Sequence, residues 1–172
     1  MTRAIQTKNE KLPDPVGFAT HDHNDCIDTA IAAAETHCAN NGVRLTPVRR
    51  KALEILLQEH RALGAYEILD RLRDAGFGSQ PAVAYRALEF LVTNGSAHKI
   101  ERLNAFIACA HSKVSHVPAF MICTECDSVA EVQSNLTNKA FGNAAHVAGF
   151  RIEQTTMEAV GLCPVCIDKS KT

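Results

Sequence analysis

Residues 79–110 read SQPAVAYRALEFLVTNGSAHKIERLNAFIACA. Pro81 suits the first turn of a helix, where its fixed φ is already correct and no amide donor is needed, and Ser79-Gln80 ahead of it supplies a cap. Val83, Ala87, Leu88, Leu91 and Val92 then recur at helical spacing up to Asn94-Gly95, a stop signal. Beyond the glycine, Ser96 to Glu101 and Ala105 to Ala110 are short runs of alternating or β-favouring residues. They are joined across Arg102-Leu103-Asn104, which predicts a hairpin. A capped helix running into a hairpin is the second half of a winged helix.

The first half lies upstream. Arg44-Leu45-Thr46-Pro47 repeats the cap-plus-proline start with Thr46 as the cap, and the helix it opens runs to about Glu59. Val48, Ala52, Leu53, Ile55, Leu56 and Leu57 form its inward stripe, while Arg49, Arg50 and Lys51 project near its start. Tyr66, Leu69 and Leu72 predict a third helix from about Ala65 to Ala75, closed by Gly76. Ile27 to Asn40, rich in alanine and free of Gly and Pro, predicts a first helix that stops at Gly42, with Cys38 on its inner face. Residues 1–24 are polar, hold Pro13 and Pro15, and read as a mobile tail in which His21 and His23 stay in solvent.

Downstream the pattern changes. Phe120-Met121-Ile122 leads into Cys123-x-x-Cys126, Ser128 to Val132 is a second short strand, and a helix from about Ser134 to Gly149 turns Leu136, Ala140, Phe141 and Ala144 inward. Phe150 to Ile152 and Met157 to Val160 read as strands before Cys163-x-x-Cys166. The fold class is therefore α+β: an N-terminal winged helix-turn-helix followed by a small α/β unit with its ends tied by sulfur.

Four thiolates from two Cys-x-x-Cys pairs, 36 residues apart, suit tetrahedral zinc with Zn–S bonds of about 2.3 Å. A thioredoxin-like redox pair would stand at a helix start in a βαβ setting, whereas here each pair follows a strand. Cys123, Cys126, Cys163 and Cys166 thus read as a structural zinc site, whose binding energy becomes folding energy of a unit this small. Cys26 and Cys38 have no matching His or Cys neighbours and read as packing residues.

Composition bounds the rest. The chain has 172 residues, 46% hydrophobic and 22% charged, enough for a core in one domain or two small ones. No run approaches the roughly 18 apolar residues of a membrane helix, and the first twenty residues carry no signal-peptide core, so a cytoplasmic location is expected. The formal charge of −1 conceals a gradient: residues 41–104 hold 10 Lys+Arg against 7 Asp+Glu, while residues 1–40 hold 3 against 6 and residues 105–172 hold 5 against 6. The basic third coincides with the winged helix, as phosphate contact requires.

Arg44-Leu45-Thr46-Pro47-x-Arg49, Tyr85-Arg86-Ala87-Leu88, His98-Lys99-Ile100-Glu101, Phe120-Met121-Ile122-Cys123-x-x-Cys126 and Gly161-Leu162-Cys163-x-x-Cys166 together resemble the ferric uptake regulator family, in uninterrupted order over roughly Ile27 to Ile167. The resemblance is strongest to its zinc uptake regulator branch. It implies a metal-dependent transcriptional repressor of zinc uptake genes that acts as a homodimer on double-stranded operator DNA, with no small-molecule substrate. It also implies this domain plan: tail 1–24, winged helix 25–102, wing end and hinge 103–108, and a dimerisation and metal-binding unit 109–172. Carried over residue by residue, a regulatory zinc site falls on His98, Cys109, His116 and Glu131, making two zinc ions per subunit.

Two imidazoles, a thiolate and a carboxylate suit tetrahedral zinc better than the harder octahedral ions. Iron and peroxide sensors of the family place histidines with Asp just before the first Cys pair; here that place is Val117-Pro118-Ala119-Phe120. The Cys109 to His116 interval is one residue shorter than the branch pattern, which leaves His111 in the same loop as a replacement for His116 or a further ligand. For DNA, the helix from Pro81 to Thr93 would enter the major groove, with Arg86 donating two hydrogen bonds to guanine and Tyr85 beside a thymine methyl or phosphate. The resemblance adds Tyr66 as a base or backbone contact and Arg44, Thr46 and Arg49 as phosphate-facing groups. The family's Pro-x-Thr-Val-Tyr-Arg is Pro81-Ala82-Val83-Ala84-Tyr85-Arg86 here, without the Thr hydroxyl. An enzyme is not expected: four thiolates leave zinc no open position and no His-Glu-x-x-His occurs. The competing readings are a regulator of the same build sensing iron, manganese, nickel or peroxide, and a zinc-stabilised interaction module without DNA.

Overall fold

The structure is a computed structural model and describes residues 23–59, 61–110, 116–133, 136–153 and 155–169. Its first part comprises α1 (His23–Asn40), α2 (Pro47–Leu57), β1 (Leu63–Gly64), α3 (Ala65–Asp74), α4 (Pro81–Thr93), β2 (Ala97–Ile100) and β3 (Ala105–Ala108). Leu53 and Leu56 of α2, Ile68 and Leu72 of α3 and Leu88 and Leu91 of α4 meet in one buried core, closed on one side by Ile31 and Ala34 of α1. At 0–3% exposure each large side chain among them contributes about 1.5–3 kcal/mol by leaving water. Cys38 is buried as expected; the Cys26 side chain lies outside the described residues.

Gly95 ends α4 at φ +68, a conformation costly for any residue with a Cβ. Its N–H and that of Ser96 turn back to the carbonyls of Val92 and Leu91, 3.1 and 2.8 Å away. This Schellman closure aims the chain from α4 into β2. β2 and β3 pair antiparallel with His98 opposite Ile107, and the turn between them bonds Asn104 N to Glu101 O at 3.1 Å. A third strand joins them: Leu63 and Gly64 pair with Phe106 and Ala105. Two residues are too short for any alternation to announce.

The second part holds β4 (Pro118–Cys123), β5 (Val129–Gln133), α5 (Leu136–Ala148), β6 (Met157–Gly161) and α6 (Pro164–Lys169). The sheet order is β5-β4-β6, antiparallel between β4 and β5 and parallel between β4 and β6. The parallel pairing needs a crossover, which α5 supplies.

Several expectations are corrected. Thr46 occupies the N-cap of α2 and Gln80, not Ser79, that of α4, yet neither side chain makes a cap bond; the proline that follows each has already removed one of the orphan donors. α2 stops at Leu57, and Glu59 beyond it is claimed by Arg61 and Arg71. α1 begins at His23, so the boundary drawn at residue 24 falls inside a helix, and His21 lies outside the described residues. Phe150 to Ile152 form no strand: Gly149 at φ +64 and the Phe150 N to Ala145 O bond of 2.8 Å spend them on closing α5. Phe141 and Ala144 are exposed rather than inward, and the Leu136 and Ala140 side chains lie outside the described residues. Phe141, Val147, Phe150, Val160 and Val165 are all exposed at 49–88%, more apolar surface than scattered single residues explain.

The two parts are packed together. Ile100 and Ile107 of the wing share a core with Phe120, Ile122 and Val129, flanked by Ala62 and Leu103. Arg61 forms an isolated antiparallel bridge with Ser128. No helix among the described residues is long and apolar enough to cross a membrane.

Candidate metal centres and nucleic-acid face

β4 delivers Cys123 to the sheet end, the turn after it carries Cys126, and the segment from β6 into α6 brings Cys163 and Cys166 alongside. Their four sulfurs lie within 4.8 Å of one another, with Cys126 Sγ and Cys163 Sγ 3.7 Å apart. Tetrahedral Zn–S bonds of about 2.3 Å give S···S edges of about 3.8 Å. The backbone is arranged for negative sulfur: the Cys163 amide donates to Cys123 Sγ at 3.4 Å, and this bond leads the causes that lower the Cys123 thiol to about 6. Cys126 is lowered too, chiefly by Ser128, whose Oγ lies 3.1 Å from its sulfur. Cys166 is pushed up to about 12, first through its hydrogen bond with Cys163. Four soft sulfur donors in this arrangement fit zinc.

The second cluster draws on both parts of the molecule. His98 comes from β2, Cys109 follows β3, His116 precedes β4 and Glu131 is on β5; their ligand atoms also lie within 4.8 Å of one another. His98 Nε2 stands 3.3 Å from Glu131 Oε1, and Cys109 Sγ lies 3.8 Å from His116 Nε2 and 3.9 Å from Glu131 Oε1. Around a tetrahedral ion with N, O and S bonds of about 2.0–2.3 Å the edges are about 3.3–3.6 Å, so the nitrogen–oxygen distance fits and the two sulfur distances exceed the ideal by a few tenths of an ångström. His116 Nε2 to Glu131 Oε1 is shorter, 2.6 Å, a hydrogen bond. His98 Nε2 is buried and faces Glu131 Oε1 at 3.3 Å without a well-aligned hydrogen bond among the described residues. Cys109 and Glu131 are buried at 5% and 2% exposure. Burial alone raises the Glu131 carboxyl, but the His98 imidazole, the Ala110 amide and His116 outweigh it and hold the group below its ordinary range. Ala110 N donates to Oε2 at 2.7 Å, leaving Oε1 for the cluster. His111 lies outside the described residues.

Sequence reasoning had no means of finding Ala110, because a main-chain amide acts there whatever the side chain. Glu158 was missed for a related reason, since its partners are main-chain groups distant in sequence, whereas Ser128 stands only two residues from the sulfur it touches.

In the winged helix, Tyr66 at the start of α3 and Tyr85 on α4 are 65% and 48% exposed, and Arg44 and Arg86 are exposed with no side-chain ion pair among the described residues. These four are free to meet a ligand. Thr46 is half-buried. Arg49 differs from expectation: its guanidinium lies 3.6 Å over the Phe90 ring and donates to the Arg44 carbonyl at 2.7 Å, so here it braces α2 against α4.

Comparison with known proteins agrees with this layout. The Ferric uptake regulator family model matches residues 40–160. The zinc uptake regulation protein of Escherichia coli (strain K12) is 35% identical over 139 residues, covering 80% of this chain and 81% of that protein. A peroxide-responsive repressor, PerR, of Staphylococcus saprophyticus is 26% identical over 84% of this chain and 97% of its own length. Among solved structures, a zinc uptake regulator complexed with zinc and DNA gives a TM-score of 0.82 at 33% identity, over 85% of this chain and 98% of that one. Holo XcZur gives 0.74 at 36% identity, over 82% and 99%. Winged helix, sulfur knuckle and family match point the same way: the chain belongs to the ferric uptake regulator family.

Proposed function

We propose that this protein is a zinc-responsive transcriptional repressor that binds operator DNA as a homodimer and controls zinc uptake genes, rather than an enzyme. One observation carries the reading: four donors of borderline softness, drawn from the wing and from the C-terminal unit, converge with their ligand atoms within 4.8 Å of one another. Relatives 33% and 35% identical over most of the chain are zinc uptake regulators, and one was solved with zinc and DNA. Each subunit takes two zinc ions, a structural one on Cys123, Cys126, Cys163 and Cys166 and a regulatory one on His98, Cys109, His116 and Glu131. The domain plan follows: winged helix to residue 102, wing end and hinge at 103–108, and a dimerisation and metal unit from 109. The exposed apolar residues on α5, β6 and α6 suit a second copy of the chain, and the protein works in the cytoplasm.

Zinc at the regulatory cluster supplies bonds that span both units. The chain's residues do the rest: His98 transmits the position of β2 to the C-terminal sheet, and the buried Glu131 keeps its charge where the ion needs it. The common core of Ile100, Ile107 and Phe120 favours a single closed arrangement over a continuum. That arrangement sets the spacing of the paired α4 helices on successive major-groove faces. A coupling of about 1–3 kcal/mol changes DNA affinity roughly 5- to 150-fold, and an almost complete switch needs about 5.5 kcal/mol. Arg86 and Tyr85 read bases; Tyr66, Arg44, Thr46 and, once released from Phe90, Arg49 hold the backbone.

The test is binding of the dimer to the DNA upstream of its own gene across buffered free zinc, with iron, manganese and nickel in competition. Tight binding that rises with zinc in the sub-nanomolar to micromolar range and collapses with a chelator is expected. Binding indifferent to zinc, or driven by another metal, overturns the proposal.

A further inference from the structure

Glu158 lies on β6, in register with Phe120 of β4, and points its carboxylate at the turn of the wing. Oε1 accepts from the Glu101 amide at 2.7 Å and Oε2 from the Arg102 amide at 3.2 Å. Two successive main-chain donors, 56 and 57 residues away in sequence, are thus taken by the two oxygens of one side chain. Neither amide has another acceptor in the hairpin, since the turn's own bond runs from Asn104 N to Glu101 O. Glu101's own carboxylate is engaged elsewhere, with Lys99 at 2.8 Å. Hydrogen bonds to an ionised acceptor are about twice as strong as neutral ones. His98 stands three residues before Glu101, on the strand that leads into this turn, and its ring packs edge-on against Phe120 with centroids 5.5 Å apart. Whatever fixes the turn therefore fixes a strand that carries one of the four donors of the regulatory cluster.

We infer that Glu158 is a positioning residue for the metal switch: its carboxylate latches the wing turn to the C-terminal sheet and sets how much free zinc is needed to close the molecule. The inference rests on the regulatory reading above. Because the latch consists of chain atoms alone, it favours closure at every metal concentration. The apparent affinity of an ion for a state populated to a fraction f is its intrinsic affinity reduced by f, so weakening the latch raises the zinc requirement without touching a ligand.

Glu158→Gln keeps the shape, loses the charge and retains one carbonyl acceptor; Glu158→Ala loses both bonds. In the full-length dimer, the free zinc giving half-maximal DNA binding should rise about 3-fold in the first variant and about 10-fold in the second, as for a modest allosteric coupling. Affinity at saturating zinc and the zinc content per subunit should stay unchanged. Amide exchange in the zinc-loaded protein should accelerate at Glu101 and Arg102 in both variants, and slow exchange at these two amides in the unaltered protein checks the latch independently of how the variants fold. An unmoved zinc midpoint, an equal loss of DNA binding at every zinc level, or fast exchange at both amides in the unaltered protein overturns the inference. If the unaltered protein ignores zinc, the regulatory reading falls instead, and the exchange data still report whether the contact exists.

Discussion

The amide of Ala110 donates to Glu131 Oε2 at 2.7 Å, and this bond decides which oxygen of the carboxylate is left for His98, Cys109 and His116. With Oε2 held, Oε1 would serve the proposed regulatory zinc as a one-atom ligand, the denticity a four-coordinate ion wants. Glu131→Gln cannot serve both neighbours: its carbonyl oxygen either satisfies Ala110 or faces the cluster, and its NH2 ligates nothing. Zinc content should fall by one equivalent per subunit, and zinc should no longer raise DNA affinity. Elemental analysis and a gel shift check the two halves, and Cys109→Ser should behave alike. A variant that keeps its zinc and its switching would falsify the ligand assignment.

Removing a sulfur from the knuckle has a different signature. Structural zinc binding is worth on the order of 10 kcal/mol at neutral pH, more than a small sheet with exposed apolar faces can replace. Cys163→Ala should therefore unfold the C-terminal unit and abolish dimerisation, while the helices around Leu53, Ile68 and Leu88 still melt cooperatively. Circular dichroism with sedimentation reports both; an intact dimer would show that the knuckle is dispensable.

On the nucleic-acid face, base-reading and phosphate-holding residues should separate. Arg86→Ala should cost about 1–3 kcal/mol on the operator and little on scrambled DNA, whereas Arg44→Ala should weaken both alike and lower the salt slope by about 1. Titrations on the two duplexes at several salt concentrations distinguish the roles, and equal losses for Arg86→Ala on both duplexes argue against base reading.

The ion-pair network beside α3 predicts a pH effect. Arg61 donates to Glu67 at 3.1 Å and Arg71 at 2.9 Å, and the hydrogen bond from Arg61 is the leading cause that holds the Glu67 carboxyl below its ordinary value. A carboxyl lowered in the native state stabilises it above the unfolded-state pKa of about 4.3, and that contribution disappears as pH falls through the native value. Glu67→Gln should be less stable than the unaltered protein near pH 7, by under about 1 kcal/mol because the network is partly exposed. The gap should close on acidification. Denaturant midpoints from pH 7 to 3 check the sign.

What the sequence disclosed and what it withheld divide along a physical line. α4 is found where Pro81 and Gly95 placed it, because those residues act on their own backbone and need no tertiary information. The sulfur cluster was legible from spacing, since two Cys-x-x-Cys pairs have few uses. β1 was not, because Leu63 and Gly64 become a strand only by pairing with β3. Phe141 was misplaced for the converse reason: an amphipathic stripe says that something covers it, but not whether the cover belongs to the same chain. Arg49 was read as phosphate-facing, and the structure adds its stacking on Phe90, a contact between two helices that no local pattern encodes.

The parallel pairing of β4 with β6, Ile122 beside Val160, carries a consequence for synthesis. A growing chain can assemble the helices and wing as soon as Ala108 clears the ribosome, but the β4 edge must wait until Met157–Cys166 emerges. Long-range parallel contacts form slowly. During that interval Cys123 and Cys126 are two thiols without their partners, so the protein's dependence on metal begins before it can report on metal at all.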